Sequence, residues 1–344
     1  MSSITEVARR AGVSIATASR VVAEVDYPVS PATRARVLEA ARALDYVPNA
    51  LARGLQKSRI PVVGVIVHDI TDPYFSEVVR GVEDAAAKGG YLVITCSSDR
   101  DPRREASYVR LLRSMRASAV IFAGSGIDDP ELTEELARHF AGLRANGGAV
   151  VHLSPYADGT PEVGVQNEDG AAAMIDALVQ MGHHQIAYLA APRQLFFARE
   201  RLAGYRRGMK AAGLEVDERL VVHRGLDAAA GVKGVDALLD GGMGFTALFC
   251  STDLVALGAM RRLRELGISV PGQVSVAGFD DISFAEMTSP RLSTVRLPMR
   301  ELGARGFAHA VNLMAGKTLM AETLPHEVVL RDSTAPPPHT PARS

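Results

Sequence analysis

Arg20, Ile15 and Ala16 sit where a short helix would meet a large polar partner, and their types limit what they can do there. Ser3 and Glu6 form an S-x-x-E capping pattern, so a helix opens at Ile4. Ile4, Val7, Ala8 and Ala11 give that helix one apolar face. Gly12-Val13 interrupts it, and Ser14 caps a second helix running from Ile15 to about Val22. Two short helices across a glycine-containing turn are the pattern of a helix-turn-helix, whose second helix lies in the DNA major groove; an ordinary helical hairpin shares the pattern. In a groove-reading helix the first turns reach base edges. Arg20 can then hold guanine O6 and N7 with two hydrogen bonds, worth about 1–3 kcal/mol of discrimination, or bind a phosphate instead. Ile15 and Ala16 neither donate nor accept; they can pack on thymine methyls or allow close approach. Thr5, Ser14, Thr17 and Ser19 carry hydroxyls placed for phosphate contacts or for helix capping.

Charge supports a polyanion partner for this end of the chain. The net charge of −1 hides an asymmetry: residues 1–60 hold nine basic and five acidic residues, leaving 29 and 34 for the rest. A basic head on an acidic body suits a nucleic-acid-binding module joined to something that need not touch DNA. Cys96 and Cys250 lie far apart in apolar runs and read as buried free thiols of a reducing compartment. No signal-peptide pattern opens the chain and no apolar run reaches membrane-span length, so a cytoplasmic protein with no membrane partner is expected. G-x-G-x-x-G, the P-loop and G-x-S-x-G are all missing. His183-His184 is adjacent and shares no helix face, which makes a poor metal pair. No catalytic residue, metal or cofactor is expected.

The elements that must position these groups follow from the same rules. Ser30 and Pro31 start a third helix to residue 43, completing a small all-α head over residues 1–48. Asn49 can cap a short helix from Ala50 to about Gln56, and residues 49–60 read as that helix and a linker. From Val62 apolar runs of strand length alternate with amphipathic helices, which implies parallel sheets covered on both faces. There are too many strands for one sheet, so two doubly wound subdomains are expected, breaking near Pro155–Pro161. Residues 335–344, rich in proline, read as a disordered tail beyond a core spanning 61–334. Doubly wound sheets bind ligands at strand ends. Asp72, Tyr74 and Phe75 follow the first strand, and Ser125 follows the third. Tyr74 and Phe75 can cover an apolar ligand face, although one of them also suits the helix core.

Taken together these segments resemble the lactose-repressor (LacI/GalR) family of bacterial transcription regulators. ITEVARRAGVSIATASRVV resembles its helix-turn-helix and YVPNALARGL its hinge helix. VIVHDITDPYFSEVVRGVEDAA, GHHQIAYLAAP, RLAGYRRGM, STDLVALGAMRRLRELGISVPGQVSVAGFDDI and SPRLSTV resemble its effector-binding core. The resemblance implies a homodimer on a pseudo-palindromic operator, and a core like a periplasmic binding protein. It places an N-subdomain at 61–157 plus 292–321 and a C-subdomain at 162–288 plus 325–332. It further implies that Leu55 wedges into the minor groove at the operator centre, with Asn49, Ala52 and Arg53 along the same groove. In the core it implies effector contacts from Arg201 and Asp253, with Asp280 either contacting effector or bracing the crossover. Phe197 and Leu226, with Leu195, fall at wall positions and make that wall apolar. The function so implied is a repressor controlled by a small molecule, with a sugar or sugar derivative favoured. A transport receptor without DNA function and an enzyme on the same fold are the rivals, and the basic head and the missing motifs speak against them.

Overall fold

Ser3, Ser14 and Ser30 start the three helices of the N-terminal region. Each side chain accepts a backbone N–H three residues on, from Glu6 at 3.3 Å, Thr17 at 3.1 Å and Thr33 at 3.2 Å. The helices are α1 (Ile4–Ala11), α2 (Ile15–Val22) and α3 (Pro31–Ala43). Gly12 ends α1 at φ 64°, a left-handed conformation that costs a glycine nothing. Their core is small: of its eight buried residues five are alanine, the others being Val7, Val21 and Val37. The structure is a computed structural model that describes residues 3–23, 28–46, 60–126, 130–156, 160–242 and 244–338. The expected hinge residues Asn49, Ala52, Arg53 and Leu55 lie outside the described residues. The chain divides into two compact units, Met1–Pro61 and Val62–Ser344.

The second unit is two-lobed. In the first lobe β1 (Ile60–Val67), β2 (Leu92–Ser97), β3 (Ala117–Phe122) and β4 (Ala149–His152) form a sheet ordered β2-β1-β3-β4. Helices α4 (Pro73–Lys88), α5 (Pro102–Ser114) and α6 (Pro130–Ala145) alternate with these strands. A parallel two-stranded ladder follows, β5 (Val163–Val165) with β11 (Glu322–Leu324). The second lobe alternates α7 (Asn167–Gln180), β6 (Ile186–Ala190), α8 (Phe196–Ala211), β7 (Val221–His223), α9 (Ala228–Asp240), β8 (Ala247–Cys250) and α10 (Asp253–Glu265). β9 (Ser275–Asp280), β10 (Ser293–Arg296) and β12 (Glu327–Val329) complete its six-stranded sheet, ordered β12-β10-β9-β8-β6-β7. Only β10 and β12 pair antiparallel there.

Side-chain alternation along the central strands shows why both faces are covered. Ile186, Tyr188 and Ala190 of β6 join one apolar cluster, and Ala187 and Leu189 join another. The first of these clusters also takes in Val63, Val65 and Val67 of β1, so a single core runs through both lobes. α11 (Met299–Met314) packs on α4, and Gly303 allows the approach: a Cβ there would lie 2.0 Å from the Val78 carbonyl oxygen.

Two boundaries differ from those the sequence suggested. The segment from 292 was expected to return to the first subdomain, but β10 pairs with β9 and β12 in the second lobe's sheet. Val295 buries in the apolar core, and Arg296 bonds Asp281 and Glu327 of the same lobe. The return comes at Leu297–Pro298, just ahead of α11. The tail was expected to be disordered from 335, yet Ala335 is fastened: its N–H donates to Ser275 Oγ at 3.1 Å and its carbonyl accepts from that hydroxyl at 2.9 Å. Residues 339–344 lie outside the described residues.

Candidate functional site

The head presents its leading turn outward. Ile15 is 50% exposed, and Ala16 and Arg20 are exposed with it. Thr5 is also exposed, and Ser19 half-buried. Ser14 and Thr17 are partly committed: besides its cap, Ser14 Oγ lies 2.9 Å from Thr17 Oγ1. For these two hydroxyls the capping role is the one the geometry displays.

The larger site is a cleft in the second unit with about 510 Å³ of empty space, lined from both lobes. Strand ends and helix starts supply the lining, as a doubly wound sheet dictates. From the first lobe come Asp72, Tyr74 and Phe75 at the start of α4, and Ser125 after β3. Asp72 caps α4 through Tyr74 N at 3.0 Å. Phe75 is buried in the core and also borders the cavity. From the second lobe come Phe197 and Arg201 of α8, Leu226 after β7, and Asp280 at the end of β9. The lobes touch where Phe197 N donates to Ser125 Oγ at 3.4 Å.

Arg201 is the best-held side chain of the site. Nε donates to Asn167 Oδ1 at 2.9 Å, Nη1 to the Ser251 carbonyl at 2.5 Å, and Nη2 to Asp280 Oδ1 at 3.0 Å. Its guanidinium carbon stands 3.7 Å from the Phe279 ring centre and 4.9 Å from that of Phe197, both within cation–π range. Asp280 therefore braces Arg201 and lines the cleft at once. Burial pushes its carboxyl up to about 7 despite the Arg201 charge, and Asp72 adds to the rise. Its backbone takes φ 112°, a costly conformation for a residue other than glycine.

Asp253 does not reach the cleft, contrary to expectation. It is fully buried; Oδ1 accepts from the Thr294 hydroxyl at 2.6 Å and Oδ2 from Ile282 N at 2.8 Å. It ties α10 to β10 and to the turn after β9. Burial, then the neighbouring Asp280 charge, push its carboxyl well above the usual range. Thr252, one residue earlier, lines the cleft instead. Leu195 is likewise absent from the lining and packs in a small cluster with Ala191 and Ala198.

Five polar lining residues escaped the sequence reading: His68, Arg100, Ser154, Asn167 and Thr252. The strand-end rule that selected Asp72 reaches His68, which directly follows β1, and Arg100, which follows β2 by three residues. His68 is buried, and Nε2 lies 3.2 Å from the Ser125 carbonyl, so that nitrogen carries the proton. Nδ1 faces Ser98 Oγ at 3.4 Å and Glu105 Oε1 at 3.5 Å. Burial, helped by the Arg100 charge, lowers its pKa to about 3, so the contact with Glu105 is not an ion pair at neutral pH. Glu105 is buried too, with its carboxyl raised, and accepts from Tyr156 Oη at 3.0 Å and Ser98 Oγ at 3.1 Å. Among the described residues no group of three or more His, Cys, Asp or Glu side chains is arranged to hold a metal ion, and no helix is long and apolar enough to cross a membrane.

Comparison with known proteins gives two domain matches and close full-length likenesses. Residues 3–49 match the model for bacterial regulatory proteins of the lacI family, and 175–334 match a periplasmic binding protein-like domain. The HTH-type transcriptional regulator RegA of Clostridium saccharobutylicum is 33% identical over 338 residues, covering 96% of this chain and 99% of that protein. The Lac repressor dimer bound to operator and the anti-inducer ONPF superposes with a TM-score of 0.86 at 28% identity, covering 97% of this chain and 99% of that one. The complex of the transcriptional regulator CelR with cellobiose gives 0.70 at 30% identity, covering 97% and 100%.

Proposed function

The chain belongs to the lacI family of bacterial regulatory proteins, a DNA-binding transcription regulator with an effector-binding core, and from that membership we propose how its two units divide the work. As a homodimer in the cytoplasm it represses transcription from a pseudo-palindromic operator, and a small molecule in the cleft releases it. It carries out no catalysis. The observation that carries this reading is a cleft whose two walls come from different lobes and meet at Ser125 and Phe197, so that a ligand between them alters how the lobes close. Arg20 reads guanine, Ile15 and Ala16 pack on thymine methyls, and Thr5 and Ser19 contact phosphates. Leu55, with Asn49, Ala52 and Arg53, opens the operator centre from the minor groove. Asp72, Tyr74, Phe75, Ser125, Phe197, Arg201, Leu226 and Asp280 contact the effector. A sugar or sugar derivative fits best: carboxylates for hydroxyls stand beside aromatic rings for an apolar sugar face, and the similar CelR is solved with cellobiose.

The test is a gel shift on upstream DNA at several salt concentrations. Affinity should fall as salt rises, and Arg20→Ala should lose about 1–3 kcal/mol of discrimination at one guanine position. If no upstream region shifts selectively, the repressor reading fails.

A further inference from the structure

Two guanidinium groups line the cleft, and they are engaged very differently. Arg201 spends its donors on Asn167, Ser251 and Asp280. Arg100 stands on the opposite lobe, in a turn where Asp99 and Arg100 both take positive φ, 54° and 59°. Its Nη1 is buried, and among the described residues that atom has no hydrogen-bond partner. Burial pulls its pKa down to about 10, with the charges of Asp72, Glu105 and Asp69 opposing the fall, so it remains a cation at neutral pH. A half-buried cation with one buried donor left unpaired costs stability, and the two positive-φ residues of its turn add to that cost.

Three further cations lie on the second-lobe segments beside the cleft, which Asp72 and Asp280 also line. Arg193, Arg199 and Arg224 are exposed on the segments after β6 and β7 that also carry Phe197 and Leu226 into the cleft. α8 opens at Phe196 with no acidic residue in its first turn, and the Ser125 hydroxyl takes the Phe197 N–H there. We propose that the natural ligand of this cleft carries an anionic group, a carboxylate or a phosphate, seated on Arg100, with its hydroxyls bonded to Asp72 and Asp280. This rests on the effector reading of the same cleft and narrows it: a sugar acid or sugar phosphate is preferred over the neutral sugar.

Thermal unfolding of the full chain tests this with simple anions, which need no knowledge of the sugar's stereochemistry. At matched ionic strength, inorganic phosphate or acetate should raise the Tm over a chloride control by about 3 °C near saturation. Whichever of the two acts identifies the anion. Arg100→Gln should lose the rise, and Arg100→Lys should keep part of it. The Tm of Arg100→Gln in chloride should match or exceed that of the parent, which shows that the variant folds. No rise with either anion, or an equal rise in Arg100→Gln, overturns the proposal. The operator gel shift separates the two readings. A rise through Arg100 with an operator complex that ignores every cleft ligand leaves the anion site standing and removes the effector role. Release by a neutral sugar with no anion response removes the anion site alone.

Discussion

The two walls of the cleft hold their charges by opposite means. On the second lobe the charges cancel within the wall: Arg201 sits between two aromatic rings with Asp280, Asn167 and a main-chain carbonyl around it. On the first lobe the charges of Asp72, Glu105 and Asp69 stand near Arg100, but they do not hydrogen-bond its buried Nη1. His68 is kept neutral by burial, Glu105 is satisfied by Ser98 and Tyr156, and Arg100 keeps a buried donor without a partner. The difference teaches which wall is finished by folding and which is finished by a ligand. A saturated arginine resists change because removing it strands its partners. An unsaturated one is retained at a cost, and its use lies outside the apo fold.

The sharpest way to break this contrast is to remove each arginine. Arg201→Ala leaves Asp280 buried without its cation and Asn167 Oδ1 without a donor. It should destabilise the core by about 3–5 kcal/mol in urea unfolding, the usual cost of stranding half of a buried pair. Arg100→Met strands no hydrogen-bond partner among the described residues and should cost far less, or stabilise. If both lose the same amount, the walls are alike and the contrast is wrong.

Next in size is the pH response, whose sign differs between the walls. For His68 the folded pKa, about 3, lies below the unfolded value of 6.5. Its stabilising effect is complete above 6.5 and is lost as pH falls, because the unfolded chain takes the proton first. The parent should lose about 2 kcal/mol more than His68→Gln between pH 7 and 4.5. Asp280 runs the other way. Its folded pKa, about 7, exceeds the unfolded 3.8, so bound proton favours the folded state. That stabilisation is present below 3.8 and is lost as pH rises through 7. Relative to Asp280→Asn, the parent should lose about 1–2 kcal/mol between pH 5 and 7.5. Denaturant midpoints across pH check both, and slopes of the same sign would overturn the assignment.

How much of this was legible in the sequence depended on whether the signal was local. The caps at Ser3, Ser14 and Ser30 act within three residues, and each helix starts where its serine stands. The strand and helix alternation expected from Val62 onward is likewise a local pattern. The membership of β10 was not legible, because Ser293–Arg296 carries no local mark of which sheet receives it. What decides it is pairing with Gly278 and Phe279 on one side and Val328 and Val329 on the other. In the cleft, strand-end residues such as Asp72 and Ser125 were found by position alone. The same rule reaches Arg100 after β2, but nothing local distinguishes a cation whose donor folding leaves unpaired from one in water. The head offers the same lesson: Ile15 on the leading turn was legible, but the alanine-rich core beneath it depends on how three helices meet.

Asp253→Asn gives the smallest expected effect and the finest test of where the wall ends. A side chain that contacted ligand would change affinity whenever its charge was removed. Here both oxygens are taken up inside the protein, by Thr294 and Ile282, and burial keeps the carboxyl raised. Asparagine can keep an acceptor for Ile282 N and turn its amide toward the Thr294 hydroxyl. Asp253→Asn should therefore shift stability by less than about 1 kcal/mol, whereas Asp253→Ala should cost about 2–4 kcal/mol, since it opens a void and leaves a buried N–H unmet. Calorimetry with a ligand found to bind the cleft should give a Kd within about threefold of the parent for Asp253→Asn. A tenfold loss there, with stability intact, would move Asp253 onto the cleft surface and make the wall one residue layer deeper than its geometry shows.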